Sequence, residues 1–200
     1  MITLPIIRWQ SGFEVSASMK DEITKQESLV ISGIALDTSV NTNKWQASED
    51  EMPSIAEDMK AIQLRIDHGY SVRDVVGGLT ETLYDKDNKR ILFKAEVDDP
   101  TIIGKILKKR VNQVSIGATA DSVICSICGK TTRPIRACKC EGSHEIIKGV
   151  KVKELSIVAS PAYEKTEFIP MGFTAGVEEA IFKIDNTPAH SDSISESTTI

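Results

Sequence analysis

Three residues of this chain have the types and the settings for acyl-transfer chemistry: a serine, a histidine and a glutamate. Ser115 sits in VNQVSIGATA. There Val114, Ile116 and Ala118 alternate with Ser115, Gly117 and Thr119, the period-2 pattern of a strand buried on one face. A small hydroxyl beside a glycine lets a substrate backbone approach closely, although a half-exposed strand face would also explain a serine there. His68 lies upstream in RIDHGY. The other two histidines, His144 and His190, lie beside the cysteines and in the C-terminal tail, so His68 is the one placed to act as a base. Alternation puts His68 on the face of Leu64 and Ile66, where a strand-end histidine bonded to a carbonyl is the structural alternative. Glu154 lies downstream in VKVKELSIVASPA. Leu155, Ile157 and Ala159 read as one face of that strand; Val152, Glu154, Ser156 and Val158 read as the other. An acid among so many apolar neighbours is costly without a partner, unless it stands at a sheet edge between Lys151 and Lys153.

A second cluster points to metal. CSICGKTTRPIRACKCEGSH gives Cys125-x2-Cys128, nine further residues, then Cys138-x-Cys140 and His144. The C-x2-C-G-K run is a knuckle pattern, in which the glycine lets the backbone turn so that amides face the sulfurs. Four soft ligands suit a tetrahedral Zn²⁺, and a site closed by four protein ligands is structural. Cys138 and Cys140 both bind, or one gives way to His144. Free thiols or a disulfide are the alternatives.

The elements that must carry these residues are legible as periodicity and turn chemistry. Ser28 to Ser39 reads as a buried strand. NTNKWQASEDEMP reads as a loop, and Pro53 opens a helical turn. Val76 to Tyr84 and Ile91 to Val97 read as a hairpin around the polar turn DKDNK, with a bulge or close backbone approach at Gly77 and Gly78. Asp99 to Arg110 reads as a helix, with Asp99 as cap, Pro100 at its first position and basic residues at its negative end. A first strand is expected near Ile2 to Trp9. A short helical patch, VEEAIFKI, precedes a Ser/Thr-rich end too polar to fold.

Two hundred residues suit one domain with tails, and 40% apolar content supports a core. A formal charge of −5 argues against a nucleic-acid wrapper, and few aromatics accompany the basic residues of the cysteine segment. No apolar run approaches the roughly 20 residues that span a bilayer. MITLPIIRWQ lacks the basic start and small-residue cleavage site of a signal peptide. A reducing, cytosolic compartment is expected, where clustered cysteines point to metal more than to disulfides.

The order IDHGYSVRDVVGGLTETL, then V-S-I-G after a helix, then E-L-S-I-V-x-x-P-A resembles the prohead proteases of tailed viruses. These are capsid-maturation serine proteases that share a fold with herpesvirus assemblin, and the resemblance covers about residues 28 to 172. It implies Ser115 as nucleophile and His68 as general base. The third member is His in the herpesvirus branch, and Glu154 stands at the matching position. Asp67 and Asp121 are the other acids to weigh. Asp67 adjoins His68 and would point to the opposite strand face, while Asp121 ends the Ser115 strand in solvent. Some prohead proteases carry a similar cysteine-bearing insertion at this place.

The fold class expected is α+β or mostly β: a closed or near-closed antiparallel barrel with flanking helices and a zinc-ribbon insertion. The expected division is an entry segment over 1–27, a protease domain over 28–172 with the insert at 122–149, and a disordered tail over 173–200. The resemblance implies a serine endopeptidase acting in the host cytoplasm inside an immature capsid. Its substrates would be the scaffold protein, the major capsid protein and itself, with self-association in the prohead. The competing expectation is a non-catalytic assembly or scaffold-binding protein that docks through its zinc ribbon.

Overall fold

The computed structural model describes residues 27–174, apart from 61, 133–137 and 139. The strand expected near Ile2 to Trp9, the VEEAIFKI helix and all but the start of the expected tail lie outside the described residues.

The chain is mostly β, with two short α-helices among the described residues. Strands β1 (Leu29–Asp37), β3 (Gln63–Ile66), β4 (Val75–Asp85), β5 (Arg90–Val97), β6 (Gln113–Thr119), β10 (Lys151–Val158) and β11 (Phe168–Phe173) form one seven-stranded sheet in the order β11-β1-β5-β4-β3-β10-β6. A second sheet runs β2-β9-β7-β8, from β2 (Trp45–Ala47), β7 (Ser122–Cys125), β8 (Thr131–Thr132) and β9 (Glu145–Lys148). The expected loop NTNKWQASEDEMP therefore contains a strand. It also contains a 3-10 turn, Glu49–Glu51, that leads into helix α1 (Met52–Met59). Helix α2 is Pro100–Leu107.

The large sheet curls into a half-barrel, and the register shows why. Five of its neighbouring pairs carry an irregularity, at Val30/Ile31, Ile34/Leu36, Leu64/Arg65, Leu79/Glu81 and Val152/Glu154. Each bulge adds local twist and bends its strand. The bending brings the two edges together. Gln113 of β6 bridges Glu167 just before β11, Val114 donates its amide to the Thr166 carbonyl, and Phe168 donates its amide to the Asn112 carbonyl. The sheet is mixed rather than antiparallel, because β3 runs parallel to β10. That pair joins segments far apart in sequence, which a two-residue hairpin cannot do.

The core fills the concave side. Phe93, Leu29, Ile31, Leu64, Ile91, Leu155 and Val114 are fully buried, and Met52, Ile55 and Met59 of α1 close it. Helix α1 packs against β4 and β10. The Asp99 side chain caps α2 by accepting from the amides of Thr101 and Ile102 at 2.8 and 2.9 Å. The helix ends at Leu107 rather than Arg110; Lys109 takes the left-handed conformation (φ 54°) and turns the chain into β6. Gly77 shows the close approach that its strand pattern predicts: a Cβ there would stand 1.8 Å from the Glu96 carbonyl oxygen. Strand β11 continues to Phe173, one residue beyond the expected end of the domain.

Candidate active site

Strands β6 and β10 carry two of the three candidates side by side. Ser156 pairs with Ser115, and Glu154 pairs with Gly117. Paired residues share a face, so Ser115, Gly117, Glu154 and Ser156 form one patch. The irregularity between Val152 and Glu154 shifts the alternation, so Val152 pairs with Ala118 and joins Leu155 and Ile157 on the core side. Simple alternation puts Val152 beside Glu154, and the bulge is the reason it fails. Glu154 is almost fully buried, at 5% exposure, and Ser115 at 7%.

His68 reaches this patch from a turn, not from a strand face. Strand β3 stops at Ile66, and both Asp67 (φ 48°) and His68 (φ 56°) are left-handed. Two consecutive non-glycine residues in that region are costly, and they persist where surrounding bonds hold them. Three amides do so. Asp67 donates to the Ile157 carbonyl at 3.1 Å, Gly69 to the Ile66 carbonyl at 2.9 Å, and His68 to the Ser156 hydroxyl at 3.1 Å. The Arg65 guanidinium clamps the turn by donating to the Gly69 carbonyl at 2.8 Å.

The turned imidazole meets the buried acid. Nδ1 of His68 lies 2.6 Å from Oε1 of Glu154, a short charge-assisted contact. A carboxylate can only accept, so Nδ1 carries the proton and Nε2 of the neutral ring keeps its lone pair. The other carboxylate oxygen, Oε2, accepts from the Ser156 hydroxyl. Gly117 gives the acid its space, because a Cβ there would sit 1.9 Å from Oε1. Glu154 is therefore the acid bonded to His68. Asp121 packs instead against Gly149, at the root of the second sheet.

His68 and Ser115 both line one cleft of about 510 Å³. Among the described hydrogen bonds, none joins the Ser115 hydroxyl to the ring. Asn41, Thr42, Asn43 and Trp45 also line the cleft, with Ile147 of the second sheet and Ala162 and Tyr163 of the loop after β10. That wall is ordered by its own bonds. Asn41 Oδ1 accepts from the amides of Asn43 at 3.0 Å and Trp45 at 2.9 Å, and Thr42 donates its amide to the Ala162 carbonyl at 2.9 Å. Burial pushes the Tyr163 phenol up to about 12, helped by the charge of Asp37, so it stays neutral.

The cysteines lie 10 to 25 positions beyond Ser115 (125 − 115 and 140 − 115). The four sulfurs of Cys125, Cys128, Cys138 and Cys140 lie within 4.8 Å of one another and could hold a metal ion. Sulfurs around a tetrahedral ion with bonds of about 2.3 Å stand about 3.8 Å apart. Here Cys138 lies 3.5 Å from Cys128 and 3.3 Å from Cys140, close to that spacing and far from a covalent S–S bond. The knuckle has its amide donor, since Ile127 N–H points at Cys125 Sγ over 3.4 Å, and Gly129 takes φ 68° to make the turn. Amides of Cys128 and Ile127 lower the Cys125 thiol to about 6, while its cysteine neighbours push Cys140 up to about 12. A first thiolate is welcome and a further one is resisted until a cation offsets it. His144 stands outside the cluster of four sulfurs, and its Nε2 lies 2.8 Å from Gln46 Oε1.

No protein-family model matches the chain, and no curated protein is significantly similar to it. Sequence reasoning missed the left-handed turn at Asp67 and His68 and the cleft wall at Asn41 to Trp45. It also passed over Ser156, although alternation already placed that residue on the face of Glu154.

Proposed function

We propose that this chain is a serine endopeptidase of the prohead-protease kind, with an assemblin-like, near-closed barrel and a structural Zn²⁺ on Cys125, Cys128, Cys138 and Cys140. The observation that carries the reading is the His68–Glu154 contact of 2.6 Å in the same cleft as Ser115. In this reading Ser115 Oγ attacks the scissile carbonyl as Nε2 of His68 takes its proton. The tetrahedral intermediate collapses to an acyl-enzyme, and the imidazolium gives the proton to the leaving amine. A water then attacks the acyl carbon as the same nitrogen takes its proton, and the imidazolium returns that proton to Ser115 Oγ as the ester bond breaks and the acid leaves. Glu154 holds the ring in the tautomer that leaves Nε2 free and balances the imidazolium. The substrates proposed are scaffold protein, major capsid protein and the chain itself, inside an immature capsid in the host cytoplasm.

The test is co-expression with the neighbouring capsid gene, followed by mass spectrometry of both chains and labelling with a fluorophosphonate probe. Wild-type chain should process its partner and label at Ser115. Ser115→Ala should fold and lose roughly 10⁴-fold or more in rate. Undiminished processing by that variant removes Ser115 as nucleophile. Assembly without processing or labelling favours the non-catalytic docking role.

A further inference from the structure

Resting on that reading of the site, we propose that Ser156 is a positioning residue that fixes both members of the His68–Glu154 pair. Its side chain is fully buried, at 0% exposure, and it stands directly across from Ser115 on the paired strand. A hydroxyl has one proton to give and lone pairs to accept with. Here both are used on the same unit. The proton goes to Oε2 of Glu154, and the oxygen accepts the backbone N–H of His68 at 3.1 Å. One side chain thus sets the rotation of the carboxylate and the backbone of the residue that the carboxylate orients.

Each bond answers a defined problem. With Oε2 tied to Ser156, the carboxylate plane cannot rotate freely, and Oε1 is left facing Nδ1 at 2.6 Å. A buried acid also needs more than one donor, and the second comes from Ser156. The amide of His68 belongs to a left-handed non-glycine residue that β3 no longer pairs. Its bond to Ser156 spans 88 positions of sequence (156 − 68) and ties the turn to β10. Alanine would leave a buried carboxylate oxygen and a part-buried amide without these partners, while changing little in volume.

The test compares wild type with Ser156→Ala and Ser156→Thr, which keeps a hydroxyl and suits a strand interior. Two readouts need no substrate: the low-field proton resonance of His68 Nδ1–H, assigned with His68→Gln, and exchange of the His68 backbone amide. In Ser156→Ala, the resonance should broaden or be lost and the amide should exchange at least about tenfold faster. In Ser156→Thr, both should return toward wild type. On a processed substrate, the alanine variant should lose about 10- to 100-fold in kcat, the scale of a buried charge-assisted hydrogen bond, with KM little changed. An unchanged Nδ1–H resonance and amide exchange in Ser156→Ala overturn the proposal, and so does equal loss in the folded threonine variant. If the wild-type chain cleaves nothing while its resonance still depends on Ser156, the positioning role stands and the protease reading falls.

Discussion

Gly117 offers the sharpest test of the site, because the structure gives the size of the disturbance. A Cβ at that position would stand 1.9 Å from Glu154 Oε1, 2.8 Å from Cδ and 3.0 Å from Cγ. A carbon and an oxygen in ordinary contact lie roughly 3.3 Å apart, slightly inside the carbon–carbon optimum. The oxygen must therefore retreat by about 1.4 Å (3.3 − 1.9). A shift of that size takes a 2.6 Å hydrogen bond out of range unless the ring follows. The backbone of His68 does not follow, since its amide is held by Ser156, so the ring can keep the bond only by turning its own side chain out of place. A misplacement near 1 Å costs about 10²-fold in rate, and loss of an orienting acid about 10⁴-fold. Gly117→Ala should thus lower kcat by about 10²- to 10⁴-fold. Overpacking costs about 1–3 kcal/mol, within the stability of an ordinary domain, so the variant should still fold. Gly78→Ala is the control, because a Cβ there meets nothing within 4 Å. The assay is the rate of capsid-protein processing, with fluorophosphonate labelling at Ser115 as a second measure. In the double variant with Glu154→Gln, the two losses should be strongly non-additive, since both act on one bond. Wild-type rates from Gly117→Ala would refute the argument that Glu154 orients His68 from this position.

Three further outcomes concern the metal and the C-terminal segment. Freshly purified chain should carry one zinc by elemental analysis; Cys140→Ser should lose it and His144→Ala should keep it, because His144 is engaged by Gln46. Chelation should raise KM more than it lowers kcat. Trp45 and Ile147 of the second sheet line the cleft, while His68, Ser115 and Glu154 are held by the first. A metal-free chain with unchanged KM would contradict that division. Self-cleavage, which the protease reading implies, should spare Phe168–Phe173, because that segment is paired along β1 and a cleaved segment must be extended and unpaired. Particles that retain the full 200-residue chain after maturation, by intact mass, would count against it.

Local chemistry made much of this molecule legible. Alternation found β1, the β4–β5 hairpin, β6 and β10, since their side chains repeat with period two along each strand. Asp99 and Pro100 announced α2. The cysteine spacing placed four sulfurs in one knuckle-like segment. The pairing scheme was less legible. Short β2 hides in a polar run because its partner, β9, lies about a hundred positions downstream and pairs with it in parallel (145 − 45). The mixed character of the large sheet escaped for the same reason, since no local signal says that β3 will lie parallel to β10.

The sequence by itself determined which residue types were present and which short segments would be strand, helix or turn. These are questions of propensity and periodicity within a few residues. Tertiary structure alone decided their assembly into a site. His68 has a left-handed backbone that its own propensity disfavours, and bonds to Ile157 and Ser156 hold the turn there. Glu154 stays buried because Gly117 leaves room and because His68 and Ser156 both bond it. Val152 leaves that face because one bulge shifts the register. Each of these outcomes depends on atoms close in space and distant in sequence, which no local pattern encodes.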